Sequence, residues 1–215
     1  MGKIGLFGGT YDPIHVGHIE IANKAMDELN LDTIYFIPTG KSYFKENVLS
    51  SDIRLNMVKS AIDSNDKFKL SDCEIKRAGN TYSIDTVKFF RKQFPDDELF
   101  FIMGMDSFRL FHKWKSYKDI LELATLVVAP RTKTRSDNTH EGIIDNEDVE
   151  DDTYFEEMCL NNPDATILRL HMDKIDISST DLRNILKNKE YDKARNYIPS
   201  KTLEYIIKEG IYNER

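Results

Sequence analysis

The sequence predicts an α/β fold, a doubly wound and mainly parallel sheet with a small C-terminal helical part. Three observations carry that prediction. Short apolar runs alternate with amphipathic helical stretches along most of the chain. Such alternation implies right-handed crossovers between parallel strands. The first strand-to-helix junction, GGTYDPIHVGH at residues 8–18, is rich in glycine, and in doubly wound sheets this is where ligands are received. Finally, 215 residues with 40% hydrophobic and 31% charged side chains suffice for one substantial core. Residues 1–215 therefore read as a single domain.

The elements follow in order. Lys3–Phe7 (KIGLF) is a short apolar run stopped by Gly8-Gly9, as in a buried strand. From Val16 to Leu29, Ile19, Ile21, Ala22, Ala25, Met26 and Leu29 keep helical spacing. Thr33–Ile37 is a strand ending at Pro38, and Asp52–Ile62 a helix with Leu55, Val58, Ala61 and Ile62 on one stripe. Phe68–Leu70 is strand-like, Ile84–Phe94 helical, and Glu98–Met103 (ELFFIM) another buried strand. A helix at Tyr117–Leu123 separates it from Leu126–Ala129 (LVVA), and Ala165–Leu170 forms the last strand. Arg131–Asp152 is polar, acidic and poor in apolar residues, so it reads as a surface excursion. The C-terminal helices, about 178–210, open at Ser178 in a capping-box pattern with Asp181. They continue through Tyr191–Asn196 and Ser200–Glu209 to a stop at Gly210.

Bulk properties exclude several classes. A net charge of -7 and a pI near 5.3 oppose a nucleic-acid partner, which calls for a basic face. They leave room for a nucleotide, since a few local cations serve one phosphate chain. Nine carboxylates crowd between Glu141 and Glu157, so bulk charge says little about a pocket elsewhere. No apolar run approaches membrane-span length, and no membrane partner is expected. MGKIGLFGG is not a signal peptide, and Leu6 stands where a myristoylation motif has Ser or Thr. Cys73 and Cys159, outside any CxxC pattern, suit a reducing cytoplasm, the expected location. Self-association into a homo-oligomer is compatible with the sequence and not fixed by it.

His15 and His18 of the loop admit three roles. Two histidines at i and i+3 can simply share a helix face. A zinc site needs three or four ligands, and His112, His140 and His171 are scattered without ligand spacing, so no metal site is expected. Phosphate binding makes fuller use of the loop. Glycines admit an anion close to the backbone, Gly17 keeps bulk away from the helix start, and that start offers N–H groups and a positive dipole end. His15 and His18 then donate hydrogen bonds to phosphate oxygens and stabilise charge developing in phosphoryl or nucleotidyl transfer. The loop matches neither GxxxxGK[ST] nor GxGxxG.

Gly8–His18 resembles the (H/T)xGH signature of the nucleotidyltransferase superfamily. The full string GGTYDPIHVGH is similar to that of the bacterial nicotinate-nucleotide adenylyltransferases. TYSIDT (81–86), FFIMGMDS (100–107), HKW (112–114), VVAPR (127–131) and ISSTDLR (177–183) resemble further blocks of that family in the same order. The resemblance spans nearly the whole chain and implies a Rossmann-like nucleotidyltransferase fold. It also implies that AMP passes from ATP to nicotinate mononucleotide, giving nicotinate adenine dinucleotide and pyrophosphate in NAD biosynthesis.

By that similarity, Gly8, Gly9 and Thr10 approach the nucleotide phosphates, which His15 and His18 hold. Gly104 and Asp106 stand at a strand end, the carboxylate set for ribose hydroxyls. Ile177, Ser178, Ser179 and Thr180 present a helix start to ATP, and Arg183 adds positive charge. For the acceptor, Thr10, Phe44, Lys45, Tyr82, Ser83, Asp106, Trp114 and Lys115 are implied. Trp114, flanked by lysines and thus not deeply buried, stacks on the nicotinate ring, and amides near Ser83 and Lys115 receive its carboxylate. N–H donors suit an acid and oppose an amide. The family's PPHK or PPHR reads SYFK here: Lys45 keeps the basic residue, while Phe44 replaces the histidine.

No serine or cysteine has an activating partner in the sequence, so direct in-line transfer is the economical mechanism. His15, His18, Lys45 and Arg183 supply positioning and charge neutralisation, with Mg2+ carried on the ATP phosphates. Phosphopantetheine and cytidylyl relatives lack the TYSIDT and HKW blocks. A nicotinamide-mononucleotide or dual preference is the nearer rival. A non-catalytic nucleotide sensor, from a different class, would be expected to have lost a phosphate-contacting residue.

Overall fold

A computed structural model describes residues 1–40, 48–77, 79–130, 146–172 and 177–213. Six parallel strands form one sheet: β1 (Lys3–Gly9), β2 (Thr33–Pro38), β3 (Phe68–Leu70), β4 (Glu98–Gly104), β5 (Thr125–Ala129) and β6 (Ile167–Arg169). Their spatial order is β3-β2-β1-β4-β5-β6. The chain winds outward from β1 to β3, returns to the middle at β4, and winds the other way.

Both faces of the sheet are covered, which is why its strands read as unbroken apolar runs. Successive side chains still divide by parity. Phe7, Phe36, Phe100, Ile102, Val127 and Ala129 enter one core. Ile4, Leu6, Ile37, Leu99, Phe101, Met103, Leu126 and Val128 enter the other. The first face is covered by α1 (Val16–Leu29) and α2 (Ser51–Ile62), joined by the C-terminal α8 (Ser179–Lys187), α9 (Tyr191–Ala194) and α10 (Ser200–Lys208). Over the second lie α4 (Ser83–Gln93), the short α5 (Met105–Phe108), α6 (Tyr117–Leu123) and α7 (Asn146–Asn161). A single turn, α3 (Cys73–Lys76), and a 3-10 turn, Phe111–Lys113, complete the described elements.

The structure departs from the sequence reading in three places. β1 does not stop at Phe7; Gly8 pairs with Ile37 and Gly9 with Pro38, because glycine backbone pairs as well as any. β4 likewise runs on into Gly104. Part of the acidic excursion is also ordered: residues 146–152 open the helix α7, while 131–145 lie outside the described residues. Tyr154, Phe155 and Met158 anchor α7 to the second core, and Asp151, 2% exposed, accepts from Arg109 at 2.5 Å. An ion pair on a buried carboxylate and three packed side chains outweigh a poor local pattern. No helix of the described residues is long and apolar enough to cross a membrane.

Candidate active site

The topological switch point lies between β1 and β4, and glycines end both strands. A Cβ on Gly8 or Gly104 would meet no other atom of the described residues within 4 Å. Packing does not require these glycines, so the space they leave is available to a ligand. Gly9 is different. A Cβ there would lie 2.7 Å from the Tyr11 ring, which folds across it. Tyr11 is buried, holds a left-handed φ of 53°, and donates its hydroxyl to the Phe7 carbonyl at 2.7 Å. Burial raises its pKa and keeps the phenol protonated.

His15 caps α1 in extended conformation, and the rings of His15 and His18 stand 3.8 Å apart. The His15 N–H donates to His18 Nδ1 at 3.3 Å, which leaves the His18 proton on Nε2. His18 is half-buried and edges onto Tyr11 at 5.1 Å. His15 is 6% exposed, and burial lowers its pKa to about 4, so it meets a ligand as a neutral imidazole. Its Nδ1 is buried with no hydrogen-bond partner among the described residues. Of the amides at this helix start, Val16 N–H is already given to the Tyr197 carbonyl at 2.8 Å. The helix therefore offers an anion fewer donors than its bare terminus would suggest.

The ISSTDLR block comes to the same loop. Ser178 caps α8 by accepting from Asp181 N–H at 3.1 Å; the reciprocal bond of a capping box is replaced by Ser178 Oγ–H donating to Asp181 Oδ2 at 2.5 Å. Ser179 Oγ donates to the Pro13 carbonyl at 3.1 Å. Arg183 Nη1 donates to the Asp12 carbonyl at 2.8 Å and Nη2 to Thr180 Oγ1 at 2.9 Å. Two of the five guanidinium donors thus hold the protein together rather than a ligand. Ile177 sends its side chain into the first core.

Across the sheet, Tyr82 and Ser83 begin α4, and Lys115 Nζ sits 4.2 Å above the Tyr82 ring, a cation–π contact. Trp114 is half-buried, edge-on to Phe111 at 5.5 Å and to Phe101 at 6.3 Å. Asp106 is exposed on the first turn of α5, directly after Gly104. Thr10 is half-exposed, its carbonyl taken by Arg54. Phe44 and Lys45 lie outside the described residues.

Three buried charged residues organise these parts and were not singled out as functional by sequence. Arg54 (3% exposed) donates from Nη1 to Thr10, from Nη2 to Thr39 and from Nε to Leu49, all at carbonyls within 3.0 Å. Burial lowers its pKa, opposed by nearby Asp12, Tyr212 and Glu74. Asp12 (4% exposed) accepts from Tyr212 Oη at 2.6 Å and from Leu49 N–H at 3.2 Å. Glu74 (6% exposed) accepts from Thr86 Oγ1 at 2.7 Å, and burial raises its pKa. One signal was available for Arg54, the lone charge on the stripe it shares with Met57, Val58 and Ala61. For Tyr212, 200 residues from Asp12, there was none.

Among the described residues, no group of three or more His, Cys, Asp or Glu side chains is placed to hold a metal. The cytidylyltransferase-like family model matches residues 6–185. The probable nicotinate-nucleotide adenylyltransferase of Clostridium tetani is 39% identical over 99% of this chain and the whole of its own length. That of Neisseria meningitidis serogroup B is 35% identical over the full length of both. In fold, the chain is similar to the Plasmodium falciparum nicotinic acid mononucleotide adenylyltransferase complexed with NaAD. The TM-score is 0.74 at 21% identity, covering 100% of this chain and 99% of that one.

Proposed function

The chain belongs to the cytidylyltransferase-like family and to the nicotinate-nucleotide adenylyltransferases, and on that premise we propose how its cleft works. The enzyme transfers AMP from ATP to nicotinate mononucleotide, releasing pyrophosphate and nicotinate adenine dinucleotide. The observation that carries the residue assignment is the pair of open-sided glycines, Gly8 and Gly104. They stand in the last residues of adjacent strands, between the histidine loop and the elements bearing Tyr82, Ser83, Trp114 and Lys115.

ATP lies with its phosphates over Gly8, Gly9 and Thr10, against His15, His18 and the start of α8. Its ribose reaches Asp106. Nicotinate mononucleotide lies over the other face, with the ring on Trp114, the carboxylate at the first amides of α4 and near Lys115, and the phosphate toward Lys45. An oxygen of the acceptor phosphate attacks the α-phosphorus of ATP. The bond to the bridging oxygen breaks, and pyrophosphate leaves with that electron pair. A phosphate monoester is largely ionised at neutral pH, so no general base is required.

His15, being neutral, contributes a single N–H dipole rather than a charge. His18 presents Nε2–H, and the net positive charge comes from Arg183, Lys45 and the helix start. Mg2+ held on the ATP phosphates would supply further charge neutralisation there. A cytoplasmic setting belongs to the same reading, with Cys73 and Cys159 unpaired.

ATP and Mg2+ mixed separately with nicotinate mononucleotide, nicotinamide mononucleotide and phosphopantetheine test the assignment. Pyrophosphate is expected with the acid mononucleotide alone. Equal release with the amide would replace it with dual specificity, and release with none would leave a nucleotide sensor.

A further inference from the structure

We infer that Tyr212 is a positioning residue for the transfer reaction, a latch from the C-terminal end of the fold onto the histidine loop. The inference rests on the reading that this loop holds the ATP phosphates. Tyr212 follows α10 through a turn in which Gly210 and Tyr212 both adopt left-handed backbone, φ 61° and 74°. That conformation is strained for tyrosine and not for glycine. The return on the strain is a buried contact: Tyr212 is 4% exposed and its hydroxyl donates to Asp12 Oδ1 at 2.6 Å.

Asp12 joins three separate pieces of the chain. Its carboxylate takes Tyr212 and the Leu49 N–H, and its carbonyl takes Arg183 Nη1. It lies three residues before His15. The segment before α10 grips the same loop at its other end, through the Tyr197 carbonyl and Val16 N–H. His15 and His18 thus stand on a loop pinned on one side by Tyr212 and on the other by Tyr197. Tyr212 acts on the histidines through Asp12. Loss of the hydroxyl leaves the aromatic ring in the first core and leaves a buried carboxylate one donor short. The loop then loses its fixed placement while the fold remains.

The test is a double-mutant cycle of Tyr212→Phe with His18→Ala, reading kcat, the KM for nicotinate mononucleotide and the thermal midpoint. Tyr212→Phe is expected to lower kcat about tenfold. The KM should hold, because the acceptor side is untouched. On the residual turnover of His18→Ala, adding Tyr212→Phe should cost clearly less than tenfold, since part of the latch's effect passes through His18. Asp12→Asn, which keeps size and an acceptor oxygen, should retain more kcat than Asp12→Ala. A wild-type kcat in Tyr212→Phe, or a loss that multiplies independently with His18→Ala, overturns the latch. Full turnover in His18→Ala overturns the phosphate-holding reading and the latch with it.

Discussion

The two faces of the sheet position their candidate site residues by different means. On the face of α1 and α8, a contiguous loop is fixed by hydrogen bonds from distant backbone and side chains: Arg183 to Asp12, Ser179 to Pro13, Tyr212 to Asp12. On the face of α4 and α5, the parts come from segments about thirty residues apart. They meet through aromatic edges, with Trp114 against Phe101 and Phe111 and Lys115 over Tyr82. The difference matches the ligands proposed for the two sides. A polyphosphate in transfer needs dipoles held to within tenths of an ångström. A flat ring is satisfied by a surface, and stacking tolerates small displacements.

This contrast can be broken most sharply at His18. His18→Ala should leave the fold intact and lower turnover by about a hundred- to a thousandfold, the range seen when a preorganised donor to developing charge is lost. Near wild-type pyrophosphate release, with an unchanged circular dichroism spectrum, would deny the loop its role. The neighbouring glycines separate ligand space from packing. Gly9→Ala drives a methyl into the Tyr11 ring and should cost about 1–3 kcal/mol in urea unfolding. Gly8→Ala meets no atom of the described residues within 4 Å, so stability should hold while the KM for ATP rises. Equal behaviour of the two would show that no ligand approaches Gly8.

On the opposite face, Trp114→Ala should raise the KM for nicotinate mononucleotide about tenfold, a stacking contact's worth, and leave the KM for ATP unchanged. A shift in both would erase the division between faces. A further effect concerns pH. The pKa of His15 is about 4 in the folded protein against 6.5 for the free side chain, so the unfolded chain binds more protons in between. The resulting destabilisation is absent above pH 6.5, grows as pH falls, and is complete near pH 4. His15→Gln should lose less stability than the wild type over that window, and identical unfolding curves would show that His15 is not buried neutral.

The sequence made the first face legible and the second only in pieces. GGTYDPIHVGH is one window, and its glycines, histidines and proline sit where a strand meets a helix. Trp114 and Ser83 have ordinary local readings, and only the order of the surrounding blocks gave them weight. The helical continuation into α7 was illegible for a physical reason. Its carboxylates look like a solvated tract, yet Asp151 is withdrawn from water by Arg109, a partner 42 residues away. Asp12, Glu74 and Tyr212 were equally silent, because a buried hydrogen bond is specified by the folded chain at both ends and marked by neither.

Arg54 carries a consequence for geometry. One planar, rigid guanidinium spans the carbonyls of Thr10 and Thr39, which follow β1 and β2, and that of Leu49 just before its own helix. Arg54 fixes the spacing between the loops after β1 and β2 and the segment before α2, a caliper with three fixed points. Lysine, with one mobile ammonium in place of a fork, would keep the charge and lose the measurement.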